Sequence, residues 1–228
     1  MRYFFIITLF FMSIFAQNLD EFEKEYKQKE QISDPLYGYN KFMTDFNVGF
    51  YKYFARPIVT GYNNITPKVF RESVANVFDN TLMPLRLGTN LLQFKFKESL
   101  SELKRFSINI IFGFFGIIDA ASKTDIKKYP SDFGTTLAHW GVGGGFYLVL
   151  PILGPSNLRD TITMPLNWYL SPTSYIDPTW ASISIDVYGS MNKIALEKEK
   201  IDEIYKNTPN LYIFLRDSYE SSREKLSE

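Results

Sequence analysis

Leu36, Tyr39, Met43, Phe46, Phe50 and Tyr53 recur at spacings of 3, 4, 3, 4 and 3. An α-helix gathers such positions onto one face; a strand scatters them. Phe42 and Phe54 widen that face beyond what one helix–helix contact needs. Asp34-Pro35 supplies the start, with an acidic cap followed by proline at the first position. Arg56-Pro57 is expected to end the helix. The same punctuation returns along the chain. Thr66-Pro67 precedes Val69, Phe70, Val74, Val77 and Phe78. Pro84 opens a short segment with Leu85, Leu87, Leu91 and Leu92. Leu100, Leu103 and Phe106 keep helical spacing among charges, and residues 157–170 suit another short helix. A long helix is expected from about Ala181 to Asn207, and Thr208-Pro209 opens a last one to about Leu226. In the long helix Lys193/Glu197 and Lys198/Asp202 stand at i,i+4 and can pair on a solvated face. Strand patterns are weak throughout and no internal repeat stands out, so the class is mainly α, in a single domain.

Two segments depart from this rhythm. Ile108 to Ile118 carries no charge, and only Asn109, Gly113 and Gly116 interrupt its apolar residues. As a helix it would be about 16 Å long, close to half of the roughly 30 Å hydrocarbon thickness of a bilayer. Entry into one leaflet and burial in a soluble core both fit that length. Gly141-Val142-Gly143-Gly144-Gly145 then offers backbone freedom between Ile108–Ile118 and the apolar run Phe146–Leu150. It suits a tight turn, a hinge or a close helix contact. No Gly-Lys-Ser/Thr follows, so it is not a nucleotide loop.

The amino terminus reads as a targeting segment. Arg2 gives a positive start, Tyr3 to Ala16 is almost wholly apolar, and polar sequence begins at Gln17. Residues 1–16 are therefore expected to be a cleaved signal peptide, too short for an ordinary membrane span. Residues 17–33 form a charged lead-in, residues 34–222 the domain, and residues 223–228 a tail.

Composition narrows the function. Lys+Arg and Asp+Glu are both 25, so no basic field exists to hold nucleic acid. Cysteine is absent, which removes thiol catalysis, Cys–zinc sites and a lipid-modified cysteine. Aromatic residues reach 17%, with 21 Phe and 15 Tyr; a rich core or a membrane boundary accommodates that many. His139 is the single histidine, and no G-x-S-x-G elbow, HExxH or paired-His spacing accompanies it. No catalytic residue, metal ligand or cofactor site is expected. Asp119 closes the apolar run, either as a helix-terminal polar residue or at the wet end of a hydrophobic path.

Ordered along the chain are Asp34-Pro35-Leu36-Tyr37-Gly38-Tyr39-Asn40, Arg56-Pro57, Asn76-Val77-Phe78 with Asn80, and Asn90-Leu91-Leu92-Gln93. Arg105-Phe106, Asn109, Gly113, Gly116 and Asp119 follow. Then come Asp132-Phe133-Gly134, Thr136-Leu137, Gly141-Val142-Gly143, Gly145, Tyr147, Leu150-Pro151, Gly154-Pro155-Ser156, Arg159-Asp160 and Arg216-Asp217. In this order and spacing, the chain resembles the MlaA/VacJ family of outer-membrane phospholipid-transport proteins over about residues 34 to 222.

The resemblance implies a helical ring in the periplasmic-side leaflet of the outer membrane, around a central amphipathic channel. Phospholipid that has strayed into the outer leaflet would pass through it to a soluble periplasmic lipid carrier, keeping the outer membrane asymmetric. Association with a trimeric porin is implied too. A hairpin spanning Gly113 to Pro151 would line or gate the channel. Gly113, Gly116 and Gly143 become its expected flexible points, and Gly145 belongs to the same hairpin or lipid path. Phe114, Phe115, Ile117, Tyr147 and Leu148 become expected tail-facing or membrane-facing positions, and Asp119 joins them on the lipid path. Two departures stand out: the family's cleavage-site cysteine is missing, and Thr161-Ile162-Thr163 stands where the family has a glycine after Arg159-Asp160. Two other readings remain open. One is a non-transporting, porin-associated envelope adaptor; the other is a lipid hydrolase built on Ser156.

Overall fold

A computed structural model describes residues 34–228. The expected signal peptide and the lead-in up to residue 33 lie outside the described residues.

The chain is mostly helical. α1 (Tyr37–Phe50) does not stop at Arg56-Pro57. It passes through a π-helical turn, Tyr51–Ala55, into α2 (Arg56–Ile65). The wide turn falls just before Pro57, whose missing N–H would have been owed to the carbonyl of Tyr53, four residues back. The expected helix end is thus a local widening. α3 (Lys68–Thr81), α4 (Met83–Leu92) and α5 (Phe96–Ile111) follow. After them come a 3₁₀ turn, Ala120–Lys123, and α6 (Phe133–His139). β1 (Tyr147–Leu150) and β2 (Gly154–Asn157) form an antiparallel hairpin in which Tyr147 faces Asn157 and Leu150 faces Gly154. α7 (Leu158–Tyr169), a 3₁₀ turn at Pro172–Tyr175, the long α8 (Thr179–Asn207) and α9 (Leu211–Ser227) complete the chain.

The packing closes on itself. α3 meets α4, α4 meets α6, and α6 meets α7. α7 meets the Pro172–Tyr175 turn, which meets α8, and α8 returns to α3. α1 lies along β1, and α9 packs on α6 and β2. The result is a ring of helices.

Its amphipathicity is inverted. α5 buries Ser99, Glu102, Arg105 and Asn109, while Phe96, Leu100, Leu103 and Ile111 are exposed. α7 buries Asp160, Thr163 and Asn167 and exposes Ile162, Leu166 and Tyr169. α4 buries Arg86, Thr89 and Asn90 along with Met83 and Leu85, and exposes Leu91 and Leu92. In water a surface helix does the reverse, because apolar area removed from water stabilises by about 25 cal/mol per Å².

Among the described residues three small apolar clusters hold the structure where the inversion lapses, one of them Phe214 and Leu215 against Ile204 and Leu211. Tyr51, Ala55 and Val59 pack on Ile194 and Ala195 of α8. Tyr147 and Val149 pack on Tyr212 and Tyr219 of α9.

The buried polar residues fasten loops to helices, as buried polar groups must be bonded. Asn40 donates to the Tyr147 carbonyl at 2.9 Å and accepts from the Val149 N–H at 2.8 Å. One face further along α1, Asn47 treats Leu150 and Ile152 the same way. The two asparagines occupy one edge of the hairpin, an edge strand whose backbone groups would otherwise be open. Asp132 caps α6 by accepting from the Thr135 N–H at 2.7 Å. Gly134 is needed there because a Cβ would lie 2.3 Å from Asp160 Oδ1 and 2.5 Å from Arg223 Nη2.

α9 runs on to Ser227, so residue 222 is no structural boundary. Arg223 lies 3% exposed, bidentate to Asp132 at 2.7 and 2.8 Å and ion-paired to Asp160 at 2.7 Å. Burial works against the Asp132 carboxylate, but the Arg223 charge and its hydrogen bonds hold it below the usual range.

Candidate functional site

Inside the ring is a cavity of about 310 Å³. α3 contributes Ala75, Asn76, Phe78 and Asp79; α8 contributes Asp186, Gly189, Ser190, Lys193 and Glu197. Asp119, Lys128, Ser171 and Thr173 close the remaining sides.

Most of its charges are matched. Asp79 receives Arg86 at 3.3 Å and the Lys128 ammonium. Burial opposes the Asp79 carboxylate, yet these two cations hold it below the usual range. Arg86 also bonds Glu102, fully buried, at 2.6 Å, and Glu102 accepts from the Tyr129 N–H. Burial raises Asp186 above the usual carboxylate range, against hydrogen bonds from Thr173 and Trp168. Lys193 forms no hydrogen bond or ion pair among the described residues. Burial, with the like charge of Lys128 added, pulls its ammonium down to about 8. The Lys193/Glu197 pair expected from sequence does not form; Lys198/Asp202 does, at 3.0 Å.

Across α8 lies an apolar groove of about 370 Å³ between Ile58, Val59, Ile183, Val187 and Met191. Phe78, Tyr188 and Tyr62 stand in series between cavity and groove, Phe78 tilted on Tyr188 and Tyr188 edge-on to Tyr62, and the two tyrosine hydroxyls are 3.0 Å apart. Gly189 makes room for this stack, since a Cβ would meet the Phe78 ring at 2.6 Å.

The expected site residues divide into two groups. Gly113 to Asp119 form one unit. α5 ends at Ile111, so the apolar run is not one helix; Phe112 to Ile117 are turns. Phe114 and Phe115 take left-handed backbone, with φ of 51° and 57°, and are 72% and 82% exposed. Ile117 is also exposed. The loop is pinned from within. Asn76 donates to the Ile117 carbonyl at 3.0 Å, and Asn80 donates to that of Gly116 at 3.1 Å. Asn109 donates to Asn80 and Asp119, both at 3.1 Å. Gly113 and Gly116 are close-approach positions rather than free hinges. A Cβ at Gly113 would lie 2.1 Å from the Ile118 carbonyl; one at Gly116, where φ is +87°, would lie 2.6 Å from Asn80 Nδ2.

Gly143, Gly145, Tyr147 and Leu148 have other neighbours. Gly143 is open to solvent with nothing near a Cβ, whereas Gly145 has φ of +73° and packs on Leu158. Tyr147 is 2% exposed in the α9 cluster. This corrects the expectation that it faces lipid: alternation along β1 turns Tyr147 and Val149 inward and leaves Leu148 half-buried. Ser156 is fully buried and bonded to Thr161, with no place for a substrate. His139 lies exposed at the end of α6.

Sequence reading missed Asp79, Lys128, Asp186 and Lys193 as cavity residues. A signal was present. Ser182, Asp186, Gly189, Lys193 and Glu197 form a small-and-polar stripe at helical spacing along α8.

A model of the family described as MlaA lipoprotein matches residues 32–226. The chain belongs to the MlaA lipoprotein family. An uncharacterised protein of Rickettsia bellii is 32% identical over 196 residues, covering 85% of this chain and 76% of the relative. The Intermembrane phospholipid transport system lipoprotein MlaA of Escherichia coli K12 is 29% identical over 193 residues, 82% of this chain and 75% of that protein. A solved structure described as the structural basis for maintenance of bacterial outer membrane lipid asymmetry aligns with a TM-score of 0.75 at 27% identity. It covers 86% of this chain and 100% of its own. The relatives named MlaA are lipoproteins of an intermembrane phospholipid transport system, and this chain shares the fold of the solved structure.

Proposed function

We propose that this protein is the outer-membrane component of retrograde phospholipid transport. It removes mislocalised phospholipid from the outer leaflet through the cavity and hands it to a soluble periplasmic carrier. The inverted amphipathicity carries this reading: polar residues line the inside of the ring while Phe96, Leu100, Ile111, Phe115, Ile162 and Leu166 face out. A phospholipid needs that combination. Its charged headgroup costs several kcal/mol or more to bury in hydrocarbon without partners, whereas its tails belong there.

No described helix is long and apolar enough to cross a membrane. In this reading the ring lies in the periplasmic-side leaflet, held by its apolar exterior and by a trimeric porin. With no cysteine in the chain, that exterior replaces the lipid anchor. Transport of this kind breaks no covalent bond, so the protein is not an enzyme.

The test is surface phospholipid in cells with and without the gene, read with a headgroup label that cannot cross the outer membrane. Increased labelling on deletion, reversed by the intact gene, is the expected outcome. Unchanged labelling with the protein still in the outer membrane overturns transport and leaves the porin-associated adaptor.

A further inference from the structure

The charged groups facing Lys193 are bonded to other partners. Asp119 is taken by Arg105, with both carboxylate oxygens 3.0 Å from Nη2. Asp79 is shared by Arg86 and Lys128. Glu197 has Lys200 at 3.5 Å. Burial favours the neutral form of Asp186. Lys193 alone among the described cavity residues is a cation without an ion pair. Asp79 and Glu197 attract its ammonium only from beyond ion-pair distance; an ammonium drawn out of water without a bonded counter-anion is unfavourable, and an anion entering the cavity relieves it.

The cavity's size and lining narrow the anion. Sites for whole drug-sized ligands run roughly 300–1,000 Å³. About 310 Å³ admits a lipid headgroup but not two acyl chains as well. Ser171 and Thr173 bond each other, with hydroxyls 2.8 Å apart, and Thr173 also bonds Asp186, so the wall across from Lys193 is polar but its hydroxyl donors are engaged. A compact, monovalent oxyanion satisfies the ammonium within a polar wall. We propose that Lys193 is the point in the cavity that binds the phosphodiester of a phospholipid headgroup, with the tails left outside the cavity. This rests on the phospholipid reading above and names the residue that recognises the headgroup. Lys128 is a poorer candidate because its ammonium is already committed to Asp79.

The test uses the full chain purified in detergent. A fluorescent-tailed phosphatidylglycerol is titrated beside a diacylglycerol with the same tails, and inorganic phosphate is titrated alone. Lys193→Met and Lys193→Gln remove the charge at similar length, Lys193→Arg keeps it, and Lys206→Met is a control on the exposed end of α8. Circular dichroism establishes that each variant folds; loss of a desolvated cation leaves no unpaired anion behind.

The wild-type chain should prefer phosphatidylglycerol to diacylglycerol. Lys193→Met and Lys193→Gln should weaken phosphatidylglycerol binding about tenfold or more, as expected for a charged hydrogen-bonded contact, without changing diacylglycerol binding. Lys193→Arg and Lys206→Met should stay close to wild type. If the uncharged variants keep the preference, the Lys193 assignment is overturned while the phospholipid reading stands. If the wild-type chain shows no preference, both fall. If inorganic phosphate binds as tightly as the lipid, the ligand is free phosphate and the lipid assignment is overturned.

Discussion

Arg105 Nη2 lies 3.0 Å from each carboxylate oxygen of Asp119, and the same Asp119 caps the 3₁₀ turn through the Ser122 N–H. One carboxylate therefore joins α5 to the chain leaving the Phe112–Ile117 loop. Charge-assisted bonds of this kind are the strong ones. Asp119→Ala leaves Arg105 without its anion and should destabilise the protein by about 1–3 kcal/mol. Thermal unfolding in detergent gives the size. Limited proteolysis should show new cleavage near Phe114, and an intact loop in the variant would contradict the pinning.

Two glycines should behave oppositely. Gly116→Ala forces a Cβ onto Asn80 at a φ of +87° and should cost about 1–3 kcal/mol. Gly143→Ala meets open space and should stay within about 0.5 kcal/mol. Denaturant midpoints of the two variants decide this. Equal costs would show that Gly116 is not held where the Asn80 contact places it.

Phe114 and Phe115 hold left-handed backbone and point away from the protein. Backbone bonds from the Phe115 N–H to the Ile110 carbonyl and from the Ile117 N–H to the Phe114 carbonyl hold that conformation, and the proposed membrane contact would bury the two rings. Phe114→Ser with Phe115→Ser should leave the unfolding midpoint nearly unchanged. It should weaken co-flotation with phospholipid vesicles by about 1.5–3 kcal/mol per side chain that enters the bilayer. Undiminished flotation would place this loop out of the membrane.

The helices were legible because their starts and spacings are local properties. Thr66-Pro67 and Thr208-Pro209 stand just before α3 and α9. What was lost depended on direction and on distant partners. Periodicity shows that α5 has two faces but not that Glu102 and Arg105 point inward while Leu100 and Leu103 point outward. Ile108 to Ile118 counted as helical by its apolar residues, yet Gly113 fits only where the Ile118 carbonyl comes back over it. The hairpin went unseen because β1 and β2 are four residues each, and Gly154-Pro155 opens the second. Lys193 looked solvated because its surroundings, Asp79 and Lys128, come from segments far away in the chain.

Glu220 gives a pH signature. Burial and the nearby Asp160 charge raise it from 4.5 to about 7. The folded protein therefore keeps a proton that the unfolded chain releases. That contribution is full below about pH 4.5 and is lost as pH rises through about 7. Glu220→Gln should raise stability at pH 8 by on the order of 1–3 kcal/mol and bring no gain at pH 4. A gain of equal size at both values would contradict the assignment.

The proposed transport takes phospholipid through the cavity inside the ring. The chain has no cysteine, so one can be placed at will. Ala75 lines the cavity and Glu203 lies on the exposed part of α8. Cells carrying Ala75→Cys or Glu203→Cys are treated with a bulky thiol reagent, and surface phospholipid is then measured. Modified Ala75→Cys should expose phospholipid as a deletion does, while untreated Ala75→Cys and treated Glu203→Cys remain normal. Normal asymmetry with the Ala75→Cys thiol fully modified would show that lipid does not travel through this cavity.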